Sequence, residues 1–173
     1  REPRKTVELT FDDGWIDQYE YALPVLTKLR VTATFFVTTE HLRRDTKDPK
    51  RMGREHLLRL LDAGMTIGGH TRTHKDLVKL SATEATEEMG GCKADLEVAL
   101  GNFVRLFAYP GGSFNASIAD IARECGYDAA CSVLGPSSND RSTLYWLYRE
   151  VVSEGMDSLR GHYRLSPLAR RLF

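Results

Sequence analysis

The sequence predicts an α/β domain on a largely parallel sheet, open or closed into a barrel. Short β-branched and aromatic runs alternate with amphipathic stretches along most of the chain. The helical stretches are punctuated by glycine and cap residues. Polar, chemistry-bearing residues gather directly after three of the runs, and in parallel sheets function collects at the carboxyl ends of the strands.

The elements follow in order. Thr6–Phe11 (TVELTF) reads as the first strand. The stretch DQYEYALPVLTKLR has helical spacing at Tyr21, Val25, Leu26 and Leu29, and Pro24 inside it implies a break or a late start. VTATFFVTT is a second strand, GREHLLRLLDAG a short helix stopped by Gly64, and MTIGGH a strand running into a turn. Ser81 with Glu84 three residues later has capping-box spacing and opens a long helix, whose middle the Gly90–Gly91 pair should weaken. VRLFAYP is a strand, and NASIADIARECG a helix with Asn115 as N-cap and Gly126 at its end. YDAACSV and LYWLYREVV are late strands, with Trp146 a core residue of the second. Asp157 to Phe173 reads as helical around Pro167.

At 173 residues the chain fits one domain with a full core, expected to span 1–173 and to be excised from a longer chain. Hydrophobic residues make up 42% and charged residues 28%, an ordinary soluble composition. Lys+Arg 24 balances Asp+Glu 24, giving no support for a nucleic-acid partner. No transmembrane run is present. Cys92, Cys125 and Cys131 are odd in number and irregular in spacing, so they read as small buried residues, not a disulfide framework. His41 and His56 read as structural or surface residues.

Three motifs carry chemistry. TFDDG places Asp12 and Asp13 side by side directly after a strand. Adjacent anions repel, so a buried pair needs a cation or two different jobs. GGHTRTH supplies His70 and His74 at i, i+4, one turn apart if the segment is helical, a spacing that suits chelation of a transition metal. Asp12 or Asp13 can complete a His₂Asp site with open positions, the other aspartate staying free as a base. AYPGGSF adds a Pro-Gly-Gly turn flanked by Tyr109 and Phe114. Each motif alone is commonplace; their conjunction at three strand ends is not.

These residues resemble the polysaccharide deacetylases of carbohydrate esterase family 4, the NodB-homology domain. The likeness runs from TFDDG through ATFFV, IGGHTRTH and FAYPGG to LYREVV. It implies a distorted, incomplete (β/α) barrel of roughly seven strands. It implies Asp12 as catalytic base, Asp13, His70 and His74 as metal ligands, and Thr71 as the brace of the histidine loop. It implies one divalent metal, most commonly Zn²⁺, with Co²⁺ or Ni²⁺ serving in some members, and an N- or O-acetylated glycan as substrate. The Gly111 N–H, after Pro110, would stabilise the oxyanion, and a cell-envelope location would fit. Trp15, Tyr109, Pro110 and Phe114 neighbour the motifs and could meet a sugar ring.

Two departures stand out. The third family motif carries an arginine where this chain has Ala108, as in the FAYP branch that includes poly-N-acetylglucosamine deacetylases. Arg149 in LYREVV is the candidate substitute, with a rim salt bridge as the plain alternative. The late Leu-x-x-His motif finds only Leu159 and His162, in a stretch that reads as helix, so His162 is a candidate general acid in a poor context. Two other readings remain: a catalytically impaired glycan-binding domain of the same fold, and a 2-His-1-carboxylate Fe(II) enzyme, whose ligands usually sit on an antiparallel framework. The stretch from Glu40 to Gly53 could border a substrate groove or be a solvated loop.

Overall fold

Six strands form one parallel sheet: β1 (Leu9–Phe11), β2 (Ala33–Val37), β3 (Thr66–Gly69), β4 (Leu106–Ala108), β5 (Ala129–Ser132) and β6 (Leu147–Tyr148). They lie side by side in chain order, each paired in parallel with the next. The computed structural model describes residues 7–43, 48–135, 139 and 141–152. The predicted C-terminal helix and His162 lie outside those residues. Successive crossovers that always step one place the same way curl the sheet. β1 and β6 are its edges, yet the Arg149 guanidinium, just past β6, donates to the Thr10 hydroxyl of β1 at 2.8 Å. The result is an incomplete barrel, as the motifs implied, with six strands among the described residues.

All five residues of β2 are buried, as expected for a strand covered on both faces. Phe35 stacks on Phe11 of β1 at 4.9 Å. Between β2 and β3 run a short helix, α2 (Glu40–Arg43), and α3 (Arg54–Asp62), which buries Leu57 and Leu60. The long helix α4 (Ala82–Leu100) starts at the predicted capping box: Ser81 Oγ accepts from the Glu84 N–H, and the Glu84 carboxylate accepts from the Ser81 N–H. α5 (Ala116–Glu124) is capped by Asn115, whose Oδ1 accepts from the Ile118 N–H at 2.9 Å.

Four expectations need correction. The first helix has a different apolar face. Residues Gln18–Ala22 form a π turn and α1 (Leu23–Leu29) follows, with Pro24 in its first turn, where a missing N–H is harmless. The wide i→i+5 turn shifts the phase, so Tyr19, Leu23 and Leu26 face the core while Tyr21, Val25 and Leu29 are exposed. Gly90–Gly91 does not break α4, which is continuous over 19 residues because neighbouring side chains pack against the bare backbone. The late strand is only two residues long, and Trp146 sits in the bend before it, half-buried, because Trp146 N–H is drawn back to Thr143 O in a turn. Only Cys92 is fully buried; Cys125 and Cys131 are partly so, and all three are free thiols. Burial pushes the Cys92 thiol up to about 12 and Cys131 to about 11, so neither is a nucleophile at neutral pH.

β3 lies between two walls that leave no room for a side chain at Gly68. A Cβ there would stand 2.5 Å from the Phe36 ring and 2.9 Å from the Leu106 carbonyl. Gly68→Ala is therefore expected to lower unfolding stability by about 1–3 kcal/mol through overpacking. A denaturant titration checks this; an unchanged midpoint would show that the sheet can spread at this point.

Candidate active site

The DDG turn gives its two aspartates opposite directions. β1 ends at Phe11, and Asp13 and Gly14 follow with φ of 75° and 74°. Asp tolerates this left-handed region better than most residues. At Gly14 even a methyl group would press on the Val37 side chain at 2.9 Å. The reversal sends Asp12 towards β6 and Asp13 towards the histidine loop.

Asp12 meets Arg149 in a bidentate pair. Arg149 Nη1 donates to Oδ1 and Nη2 to Oδ2, both at 2.7 Å. The Arg149 backbone N–H is itself fixed on Ser132 O. Gln18, in the π turn, donates to the Asp12 carbonyl at 2.6 Å. Arg149 is thus the guanidinium that clamps Asp12. Its side chain is only 13% exposed, so this is not a rim salt bridge.

Asp13 Oδ1 lies 3.5 Å from His70 Nε2 and 3.1 Å from His74 Nε2. Its Oδ2 accepts from Trp15 Nε1 at 3.1 Å. His70 is buried, and its Nδ1 is 2.7 Å from the Ala108 carbonyl. A carbonyl only accepts, so Nδ1 carries the proton, and a neutral His70 turns a lone pair at Nε2 towards Asp13. The carboxylate oxygen and the two imidazoles then converge as acceptors, with ligand atoms all within 4.8 Å of one another. Such a set is repulsive until a cation sits among them, and two imidazoles with one carboxylate suit a divalent transition metal. These residues fit a metal.

The histidine segment is a turn, not the helix that i, i+4 spacing suggested. Thr71 and His74 both have positive φ, at 64° and 60°, which no helix permits. Thr71 is the brace: its hydroxyl donates to His70 O at 2.5 Å and accepts from the His74 N–H at 2.9 Å.

The Pro-Gly-Gly turn follows β4, and the exposed Gly111 N–H has no intramolecular acceptor among the described residues. Tyr109 corrects an expectation. It is 1% exposed, with its hydroxyl donating to Tyr145 O at 2.7 Å, so it cannot meet a sugar. Pro110 is buried as well. Tyr109 instead backs a row of near-parallel rings, Tyr109–Phe114 at 5.3 Å and Phe114–Trp146 at 6.1 Å. Trp15 remains partly exposed, but Arg51 lies over its ring at 3.6 Å.

The stretch before α3 is more than a solvated loop. Arg51 donates to Asp13 O, Met52 N–H to Gly14 O and Lys50 O accepts from Ile16 N–H, with Met52 fully buried. Sequence reasoning missed Gln18 and Arg51, which reach the site through the Asp12 and Asp13 carbonyls, contacts that no motif marks, and the place of Trp146 in the ring row beside Phe114. His41 bonds Met52 O, and His56 accepts from the Gly53 N–H at the start of α3, both structural as expected.

A curled parallel sheet thus carries a His₂Asp cluster and a clamped aspartate at its carboxyl edge. A family profile described as polysaccharide deacetylase matches residues 1–130, and the chain belongs to that family. It is 32% identical over 125 residues to the peptidoglycan-N-acetylmuramic acid deacetylase PdaA of Bacillus subtilis strain 168, covering 71% of this chain and 44% of PdaA. It is 25% identical over 166 residues to the poly-beta-1,6-N-acetyl-D-glucosamine N-deacetylase of Staphylococcus aureus strain MRSA252, covering 88% and 56%. The structure of Streptococcus pyogenes deacetylase PplD in complex with acetate superposes with a TM-score of 0.78 at 29% identity, covering 83% of this chain and 62% of that one. The chain spans about half the length, or less, of these curated relatives.

Two predictions follow from the geometry. Arg149→Met should cut turnover by about 100-fold through loss of orientation at Asp12 while leaving metal affinity intact; a rate equal to wild type would remove Arg149 from the site's chemistry. In metal-stripped protein, a proton taken up at His70 Nε2 in the cation's place lets that nitrogen donate to Asp13, and this hydrogen bond holds the Asp13 carboxyl at about 2 instead of the ordinary 3.8, against the opposing pull of burial. A depressed carboxyl stabilises the fold above its unfolded value and loses that contribution as pH falls. The stability gap between stripped wild type and Asp13→Asn should therefore shrink between about pH 4 and pH 2, measured by acid-dependent denaturant titration.

Proposed function

We propose that this chain is the catalytic domain of a metal-dependent hydrolase that removes acetyl groups from N-acetylated carbohydrate polymers and releases acetate. The observation that carries the reading is the pairing of an Arg149-clamped Asp12 with the Asp13–His70–His74 cluster at one edge of the sheet. Family membership and the acetate in the PplD structure support it. Asp13, His70 and His74 would hold the metal, with zinc favoured by the donor set and cobalt or nickel as substitutes; when bound, it supplies Lewis acidity towards water and carbonyl.

The chain's own residues do the rest. Each carboxylate oxygen has two lone-pair sites, and Arg149 uses one on each. Asp12 keeps the others to take a proton from the attacking water as its oxygen bonds to the acetamide carbon. The Gly111 N–H is free to donate to the oxygen on which charge develops. The C–N bond then breaks, and the amine nitrogen needs one proton. Asp12 can return the one it took; His162 is the other candidate donor. The products are acetate and a free amino sugar.

The ligands stand on a parallel sheet, which disfavours the Fe(II) oxygenase reading. An impaired glycan-binding domain remains the second reading, favoured by one fact. His41 and His56 are committed to backbone groups, so no described histidine is spare to serve as the acid. Acetate release from N-acetylglucosamine oligomers separates the two. Stripped protein given zinc or cobalt should regain release, and Asp12→Asn should lose at least about 100-fold. Metal and glycan binding without acetate would favour the second reading.

A further inference from the structure

We propose that α4 is the latch of the metal site, and that Glu88 is a positioning residue setting the affinity of the histidine turn for its cation. The inference rests on the metal-site reading above.

The turn carrying His70 and His74 has no regular hydrogen bonding of its own. Two of its residues occupy left-handed backbone conformations, which persist only when the surroundings over-determine them. Thr71 supplies one restraint from within. The remainder come largely from one face of α4, at Glu88, Gly91 and Asp95, spaced i, i+3 and i+7.

Glu88 is 6% exposed, yet it is a carboxylate in the middle of a helix. Its Oε2 accepts from the Thr73 N–H at 2.9 Å, and its Oε1 from the Thr73 hydroxyl at 2.6 Å. Lys75 Nζ stands 3.5 Å from the same Oε1. The Glu88 carbonyl also accepts from the Arg72 N–H at 3.1 Å. One residue thus holds Arg72, Thr73 and Lys75, on both sides of the backbone leading into His74. Asp95 grips the other end. Arg72 Nε and Nη2 donate to its two oxygens at 2.8 and 3.0 Å, and Thr39 Oγ1 adds a bond at 2.9 Å. The Arg72 carbonyl accepts from the Thr39 and Glu40 N–H groups, tying the latch to the end of β2. Gly91 makes room for this, since a Cβ there would lie 2.2 Å from the centre of the Arg72 guanidinium.

None of these groups touches a metal ligand atom, so their effect runs through backbone position. His70 is buried and anchored on Ala108 O. His74 is 44% exposed in its side chain, and its ring has no comparable anchor, so its place depends on the Thr71–Thr73 backbone that Glu88 holds. Losing the latch should loosen one ligand of three.

The test is titration of cobalt(II) into metal-stripped protein, followed by calorimetry and visible absorption. Glu88→Ala should weaken cobalt affinity by about 10-fold or more, in the range known for supports of metal ligands. Thr73→Val, at a half-buried site, should weaken it in the same sense and serves if Glu88→Ala does not fold. Glu88→Gln, which keeps an acceptor for the Thr73 N–H, should recover much of the loss. Ser81→Ala is the control: it removes the α4 cap without touching the turn and should leave cobalt affinity unchanged. Wild-type affinity and spectra in Thr73→Val, or in a folded Glu88→Ala, would overturn the latch alone, as would an equal loss in Ser81→Ala. A wild-type chain that binds no cobalt would overturn the metal site and the latch with it.

Discussion

The bidentate pair between Asp12 and Arg149 is the interaction on which the architecture turns. It joins the end of β1 to the residue just past β6, the two strands that edge the sheet among the described residues. The same guanidinium reaches Thr10 and lies over the Phe36 ring at 5.2 Å, so strand closure and the setting of Asp12 are one event. A charge pair removed from water needs its hydrogen bonds well made to repay desolvation. This one leaves only the guanidinium Nε without a partner.

A second constraint is backbone strain concentrated at the site. Among the described residues, three of the four non-glycine residues with positive φ are Asp13, Thr71 and His74. Left-handed geometry at such residues is held against a cost of about 1–3 kcal/mol each. The holding groups are specific: Arg51 on the Asp13 carbonyl, the Thr71 hydroxyl within its own turn, and α4 on Thr73. Strain of this kind aims side chains where regular strands and helices cannot, which is how two adjacent aspartates come to face different partners.

Much of this was legible in the sequence. The alternating rhythm, the Ser81–Glu84 box and the Asn115 cap depend on local chemistry, and local chemistry is written in adjacent letters. His70, His74 and one aspartate of the DDG pair are readable because strand ends in a parallel sheet converge; only the family resemblance points to Asp13 as that aspartate. The errors share a physical origin. The first helix was phased for an ordinary 3.6-residue turn, whereas a π turn precedes it. Gly90–Gly91 was weighed by helix propensity alone, whereas an arginine from another loop packs there. Tyr109 was judged by its neighbours in sequence, whereas Tyr145, 36 residues away, takes its hydroxyl. Gln18 and Arg51 act through main-chain carbonyls, contacts that any polar side chain of the right reach could make, so nothing in their letters announces them.

The carbonyl that fixes His70 belongs to Ala108, the very residue whose side chain is too small to reach Asp12. Two duties that meet at one position are thus carried by chemically separate groups. The imidazole is steered by main chain, which every amino acid brings, so the methyl side chain at 108 leaves that steering untouched. The guanidinium beside Asp12, by contrast, comes from a side chain just past β6. A carbonyl at the end of one strand and a guanidinium just past another therefore set the two halves of the site independently.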